Sequence, residues 1–118
     1  MMADISGPAL AKALTKVKEL VPYAPRISTI ECDVSKEADV QAMVESQDEF
    51  GGIDVMFNNA GIMHADDADA INTPDKIWDL THNINVKGVW YVADYVLPSN
   101  TEDYGFYVDD IADKMKKL

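Results

Sequence analysis

The side chains best suited to recognise a small ligand lie in two short stretches, each at the end of an apolar segment. Asp33 and Val34 close the segment ISTIECDV, and the tetrapeptide NNAG follows the segment IDVMF. The tetrapeptide consists of Asn58, Asn59, Ala60 and Gly61. Its alanine and glycine let a flat ring or a ribose approach the backbone, and its asparagines offer hydrogen-bond donors and acceptors. The same residues suit a tight turn after a strand, so local chemistry leaves a ligand wall and a plain turn both open.

The elements that must position these residues include three predicted helices, each with apolar residues at three- and four-residue steps. They span 8–21, 35–50 and 73–97. Ser35 is the predicted cap of the second helix, and Gly51 with Gly52 is its predicted stop. Thr73 and Pro74 are the predicted cap and first turn of the third helix.

Two strands are predicted between these helices, over 27–34 and 53–58. The second is apolar at consecutive positions, as in a parallel sheet whose two faces are both covered. The resulting order is that of βαβ units in a doubly wound α/β fold, a partial Rossmann-like domain with a short parallel sheet. Ligands bind such sheets beyond the carboxyl ends of the strands, so Asp33 and NNAG are placed to share a ligand.

Composition excludes several classes of function. Ten basic residues against 21 acidic residues give a net charge of −11, which argues against nucleic acid and membrane surfaces as partners. No membrane span and no secretory signal is recognisable, so a cytoplasmic location is expected. Cys32 is expected in the core, and with only His64 and His82 as further soft ligands no metal site is predicted. The acidic stretch HADDADAIN lacks the glycine and glutamate of a calcium loop and is interpreted as a solvated loop.

Three motifs in order along the chain resemble the central part of a short-chain dehydrogenase/reductase, the Rossmann-fold family of NAD(P)-dependent oxidoreductases. They are Asp33 with Val34, the NNAG tetrapeptide, and an NxKG segment at 85–88. The resemblance covers roughly Asp4 to Tyr91, beyond which the sequence departs from the family pattern. It implies interconversion of alcohols and ketones as the parent chemistry.

The resemblance also assigns roles to individual residues. It implies that Asp33 hydrogen-bonds the adenine amino group of NAD (or NADP), with Val34 beside the ring. NNAG would line the adenine ribose and nicotinamide side of the cofactor. Asn85 would be the active-site asparagine, whose helix position holds a water in the proton relay. Asp4 would bind the ribose 2′-OH and favour NAD over NADP.

Two departures from the family pattern predict that the chain is catalytically incomplete alone. None of its six glycines forms the glycine-rich turn that cradles a pyrophosphate at a helix N-terminus. None of its five tyrosines is followed four residues later by a lysine, so the acid/base pair of the family is missing. We therefore divide the chain into a partial nucleotide-binding domain, 1–97, and a divergent tail with a short helix, 98–118.

The strand order 3-2-1-4-5-6 of such folds would separate segments 27–34 and 53–58, which correspond to the third and fourth strands. The segments could instead pair directly, borrow strands from another copy, or leave open edges. Four aromatic residues in the third helix suit either a homo-oligomer interface or packing on the sheet: Trp78, Trp90, Tyr91 and Tyr95. A non-catalytic acidic interaction module, or a truncated product, is accordingly the alternative function.

Overall fold

The computed structural model describes residues 1–23 and 26–99, in which short strands alternate with helices. In chain order the elements are β1 (Met2–Asp4), α1 (Gly7–Leu20), β2 (Thr29–Glu31), α2 (Glu37–Glu45), a 3₁₀ turn (Ser46–Phe50), α3 (Asp75–His82), a π-helical turn (Asn83–Gly88) and α4 (Val89–Ser99). The predicted tail helix lies outside the described residues. In the described part of the chain, no helix is long and apolar enough to cross a membrane.

Helix α1 forms where the apolar spacing predicts it. Ser6 caps the helix by accepting a hydrogen bond from the Ala9 N–H through Oγ at 3.3 Å, and Pro8 occupies the first turn, where its missing N–H costs nothing. Leu10 is buried, whereas Leu20 at the far end is exposed. The helix therefore packs against the sheet mainly through its first half.

Strands β1 and β2 form a parallel two-stranded sheet in which Ala3 is the partner of Ile30. The Met2 N–H donates to the Ser28 carbonyl at 2.9 Å, and the Asp4 carbonyl accepts from the Cys32 N–H at 3.0 Å. Strand β2 is shorter than the predicted span 27–34. Apolar pattern did not predict β1, because three residues are too few to show an alternation.

The predicted strand at 53–58 is wrong as a strand, because it has no ladder partner in the described sheet. The segment is extended chain beside the sheet, and Val55 and Phe57 are 72% and 87% exposed. Ile53 packs against the core, but within the described residues no neighbouring strand covers Val55 and Phe57. Segments 27–34 and 53–58 do not pair directly.

The predicted caps of the second and third helices are also wrong. Lys36, without a side-chain cap, precedes α2, because Ser35 bonds to Asp33 instead. Pro74 is the N-cap of α3, while Thr73 Oγ accepts from the Ala68 N–H within the preceding loop at 2.9 Å. The predicted stop at Gly51 and Gly52 is confirmed: both have positive φ, 89° and 116°, which favours glycine.

The core lies between α2 and α4, with the end of β2 against it. Its buried members are Cys32, Val40, Met43, Val44, Tyr91, Val92 and Val96. Cys32 is in the core, as predicted. The third predicted helix has a divided surface, because Tyr91 is buried while Trp78 and Trp90 are more than half exposed.

At Gly88, where the π-helical turn leads into α4, the backbone passes close to Val34, three residues after the end of β2. A β-carbon at Gly88 would lie 2.8 Å from Val34 Cγ2 and 3.1 Å from the Val34 carbonyl oxygen. Only glycine permits this approach without displacement of the backbone. The glycine of the NxKG segment thus sets the distance between α4 and the carboxyl end of β2.

Candidate nucleotide site

One cleft of about 630 Å³ is lined by every residue that the sequence proposes for cofactor binding. These residues are Asp4, Asp33, Val34, Asn58, Asn59, Ala60 and Gly61. They come from the carboxyl ends of β1 and β2 and from the extended segment after residue 53. The structure therefore brings together three stretches that are far apart in the sequence.

Asp4 ends β1 and is held at the mouth of this cleft by its own local turn. Its Oδ1 accepts a hydrogen bond from the Ser6 N–H at 2.8 Å, which fixes the carboxylate beside the start of α1. The side chain is exposed, so the carboxylate is accessible to a ligand. An ionised carboxylate in this position can accept hydrogen bonds from hydroxyl groups.

Asp33 lies at the corresponding end of β2 and is more strongly constrained. Its Oδ1 accepts from the Ser35 hydroxyl at 2.7 Å and from the Ser35 N–H at 3.1 Å, while Oδ2 lies 3.4 Å from Lys36 Nζ. The Ser35 hydroxyl is the main reason that the pKa of Asp33 lies below its ordinary value. Asp33 is thus an ionised acceptor with one oxygen already occupied by Ser35.

The NNAG tetrapeptide is joined to α4 by the side chain of its first residue, Asn58. Asn58 Nδ2 donates to the Val89 carbonyl at 3.0 Å, and this contact links the segment to the first residue of α4. Asn59 and Ala60 are exposed between the two anchored ends. They are consequently the members of the tetrapeptide most open to a ligand.

Asn85 anchors the residue that follows the tetrapeptide. Its Oδ1 accepts from the Ile62 N–H at 2.8 Å, and its Nδ2 donates to the Ile62 carbonyl at 2.8 Å, so one amide satisfies both backbone groups. A β-carbon at Gly61 would lie 3.3 Å from Asn85 Oδ1, which explains the glycine there. The Asn85 side chain is therefore a positioning group in this structure.

The π-helical turn Asn83–Gly88 carries Asn85. A π turn contains an additional residue per turn and often occurs at functional sites. Sequence reasoning found Asn85 and Asn58 through their motifs but missed their partners, Ile62 for Asn85 and Val89 for Asn58, since no pattern along the chain couples an asparagine to a backbone group so distant. The NNAG and NxKG motifs are thus two parts of one hydrogen-bonded arrangement.

The electrostatics of the cleft suit the adenosine half of a dinucleotide and do not suit its phosphates. Two carboxylates, Asp4 and Asp33, line it, and none of its lining side chains is a lysine or arginine. Carboxylates accept hydrogen bonds from an amino group or a ribose hydroxyl, but they repel phosphate. The residues present fit adenosine and provide no cradle for the pyrophosphate.

Comparison with known proteins identifies the protein family to which this chain belongs. A family model described as enoyl-(acyl carrier protein) reductase matches residues 1–109. The chain belongs to the short-chain dehydrogenase/reductase family. The match runs past Tyr91, where the motif-based resemblance ends.

Individual members of this short-chain dehydrogenase/reductase family show how much of the fold is shared. A 2-dehydro-3-deoxy-D-gluconate 5-dehydrogenase from Dickeya dadantii is 31% identical over 79% of this chain and 36% of its own length. A 2-(R)-hydroxypropyl-CoM dehydrogenase from Xanthobacter autotrophicus is 36% identical over 64% of this chain and 31% of its own length. The chain therefore spans about a third of the length of these relatives.

Solved structures of the family superimpose on the described fold. The crystal structure of levodione reductase has a TM-score of 0.77 at 34% identity and covers 82% of this chain and 37% of its own. That of NAD⁺-bound xylitol dehydrogenase has a TM-score of 0.70 at 32% identity, with 82% and 36% covered. The α/β architecture is accordingly a partial Rossmann-like fold.

Proposed function

We propose that this chain forms the adenosine-facing half of the NAD(P) site of a short-chain dehydrogenase/reductase. The observation that carries the proposal is the convergence of Asp4, Asp33 and the NNAG tetrapeptide on one cleft. Asp33 would accept a hydrogen bond from the adenine amino group, with Val34 packed beside the ring. Asn59 and Ala60 would lie along the ribose, because they are exposed between the two anchored ends.

Within this proposal the cofactor is NAD rather than NADP. The Asp4 carboxylate, fixed by the Ser6 N–H, would accept a hydrogen bond from the ribose 2′-OH. A phosphate at the same position would face this negative charge and the net charge of −11 of the chain. NADP is therefore expected to bind more weakly than NAD.

The parent chemistry is the interconversion of an alcohol and a ketone, for which the nicotinamide of the bound cofactor supplies or accepts hydride. Of the catalytic residues implied by the family resemblance, the 118 residues contain Asn85 alone. Asn85 would fix the NNAG wall on the nicotinamide side through its bonds to Ile62. No tyrosine–lysine pair is present to exchange the substrate proton, so we expect no turnover by this chain alone.

Titration of the isotope-labelled chain with adenosine, NAD and NADP, followed by NMR and calorimetry, tests the proposal. Adenosine and NAD are expected to bind weakly at the amides of Asp33, Val34 and Asn59, with NADP weaker still. Asp4→Asn should reduce the preference for NAD over NADP, because the carboxylate that repels the 2′-phosphate is gone.

Glu19→Gln is the matched control, since it removes the same charge from exposed α1, away from the cleft. Submicromolar NAD affinity would contradict the inference that a phosphate cradle is missing. Shifts confined to other surfaces would overturn the proposed site.

The exposed surface shared by α3, the π-helical turn and α4 favours a second role, self-association. Trp78, Val86 and Trp90 are 54%, 59% and 58% exposed, and Trp78 stacks on His82 with ring centroids 3.9 Å apart. Large aromatic groups at a solvent-facing surface are typical of an interface. We propose that two copies associate through this surface.

Light scattering of Trp90→Asp tests the self-association. The unmodified chain should form a dimer that Trp90→Asp dissociates. Leu20→Asp is the control, because Leu20 is equally apolar and 74% exposed but belongs to α1. A monomeric unmodified chain at high concentration, or equal dissociation by both variants, would refute this role.

A further inference from the structure

The Asp33 carboxylate has one acceptor position left for a ligand. An ionised carboxylate offers about four such positions, divided between its oxygens. The Ser35 hydroxyl and N–H occupy Oδ1 at 2.7 and 3.1 Å, and Lys36 Nζ lies 3.4 Å from Oδ2. The remaining position on Oδ2 is therefore where an amino group of a ligand can donate a hydrogen bond.

The backbone of Asp33 holds this acceptor in place. Its N–H donates to Asp39 Oδ2 on α2 at 3.1 Å, and its carbonyl accepts from the Lys36 N–H at 2.8 Å. The Asp33 side chain is only 19% exposed. The carboxylate is thus oriented before a ligand arrives.

Lys36 presents hydrogen-bond donors directly beside the open acceptor. An ammonium group carries more N–H donors than one ion pair uses, and the Lys36 side chain is 66% exposed. Lys36 is not a lining residue of the cleft, so it reaches a ligand at the rim, next to Asp33. An acceptor and a donor therefore stand side by side at this end of β2.

This acceptor and donor match one edge of adenine. On that edge the exocyclic amino group N6 donates and the neighbouring ring nitrogen N7 accepts. In guanine and hypoxanthine an oxygen replaces the amino group, so an acceptor would face the Asp33 carboxylate. The pair can recognise two adjacent atoms of the base, whereas a carboxylate alone recognises one.

We propose that Lys36 is a second specificity-determining residue for the base, which donates a hydrogen bond to adenine N7 while Asp33 Oδ2 accepts from N6. The inference rests on the proposed adenosine site and adds a residue outside the motifs of the chain. Asp39 on α2 and Asp4 at the end of β1 border the same region, and ionised carboxylates have no donor to offer N7. Lys36 supplies that donor.

An ordinary surface ion pair is the competing interpretation of Lys36 and Asp33. Exposed pairs of this kind contribute little to stability. The Lys36 side chain makes no cap bond to α2, so its replacement leaves the start of the helix intact. Ligand recognition, measured on folded variants, therefore separates the two interpretations.

The test titrates the isotope-labelled chain with adenosine, 7-deazaadenosine and inosine at low ionic strength, followed by NMR. 7-Deazaadenosine has a C–H in place of N7 and keeps the amino group, so it removes only the acceptor for Lys36. Adenosine should bind about three- to tenfold more tightly than 7-deazaadenosine, as for one hydrogen bond to a charged group that is partly exposed. Inosine should bind at least about tenfold more weakly than adenosine, because its oxygen meets the Asp33 carboxylate.

Lys36→Met removes the donor and keeps most of the side-chain length. It should weaken adenosine to the affinity of 7-deazaadenosine, while the preference over inosine remains because Asp33 is unchanged. Lys36→Arg should retain the difference between adenosine and 7-deazaadenosine. Lys16→Met is the matched control, since it removes the same charge from exposed α1, away from the cleft.

The outcomes distinguish this inference from the proposed function. Equal affinities of adenosine and 7-deazaadenosine for the unmodified chain, with shifts at the Asp33 and Val34 amides, would overturn the role of Lys36 and leave the adenosine site standing. A difference that persists in Lys36→Met, or that also disappears in Lys16→Met, would overturn that role as well. Absence of shifts at those amides would refute the adenosine site, and the role of Lys36 with it.

Discussion

Replacing Asn85 by alanine removes both hydrogen bonds that hold Ile62. Each bond is 2.8 Å long and half-buried, so each contributes about 1 kcal/mol to the local stability, or about 2 kcal/mol together. That change should accelerate hydrogen exchange of the Ile62 amide about 30-fold. NMR-detected exchange measures it directly, and urea unfolding followed by tryptophan fluorescence measures the global effect.

Two asparagines of the tetrapeptide provide graded controls for this prediction. Asn59→Ala should leave exchange and unfolding unchanged within about 0.5 kcal/mol, because Asn59 is exposed. Asn58→Ala loses one exposed bond to Val89, worth about 0.5 kcal/mol. Equal exchange rates at Ile62 in Asn85→Ala and Asn59→Ala would refute the positioning role.

The variant Asn85→Asp separates donation from acceptance. Its carboxylate still accepts from the Ile62 N–H but faces the Ile62 carbonyl with a second negative oxygen, whereas its protonated form can donate. Folding should therefore raise the pKa of the introduced carboxyl above the ordinary value of about 3.9. The variant should be closest to the unmodified chain below that pH and lose stability as pH rises through its raised pKa. A pH-independent difference would contradict this geometry.

Three further predictions concern packing and protonation. Gly88→Ala should destabilise the chain by about 1–3 kcal/mol in urea unfolding, because its β-carbon meets Val34, and adding Val34→Ala should recover part of the loss. Cys32 is 3% exposed, and burial is the main cause that raises the pKa of its thiol, so iodoacetamide should alkylate it at least about tenfold faster in urea than in buffer; equal rates would contradict a buried thiol. The lowered pKa of Asp33 stabilises the fold above the ordinary Asp pKa, and this contribution disappears as pH falls through the lowered value. Ser35→Ala should therefore reduce the loss of stability on acidification, measured as the urea midpoint at several pH values, and an unchanged acid dependence would refute it.

Local pattern predicted the helices well, since their apolar spacing and terminal residues act within a few positions. Ser35 shows where such reasoning fails: it has the chemistry of a helix cap, but the Asp33 carboxylate binds both its hydroxyl and its N–H. The segment 53–58 failed as a strand for another reason. Its sequence has strand character, but a ladder requires a neighbour, and no property of the segment itself shows whether one is present.

The sequence could predict which residues form the site, but not which hydrogen bonds join them. The motif resemblance named Asn85, Asn58 and Gly61, and all three lie together. The bonds from Asn85 to Ile62 and from Asn58 to Val89 join groups whose proximity depends on the π turn and on the approach of Gly88 to Val34. Such proximity is a property of the folded chain and is not encoded in any short window.

The two asparagine contacts also set the order in which this wall of the cleft forms. Asn85 lies 23 residues from Ile62, and Val89 lies 31 residues from Asn58, so neither contact closes until the helix that bears them is built. No ladder holds segment 58–62 meanwhile. We therefore expect this segment to open in local fluctuations before the core between α2 and α4, which hydrogen exchange would show as faster exchange of the Ile62 amide than of core amides.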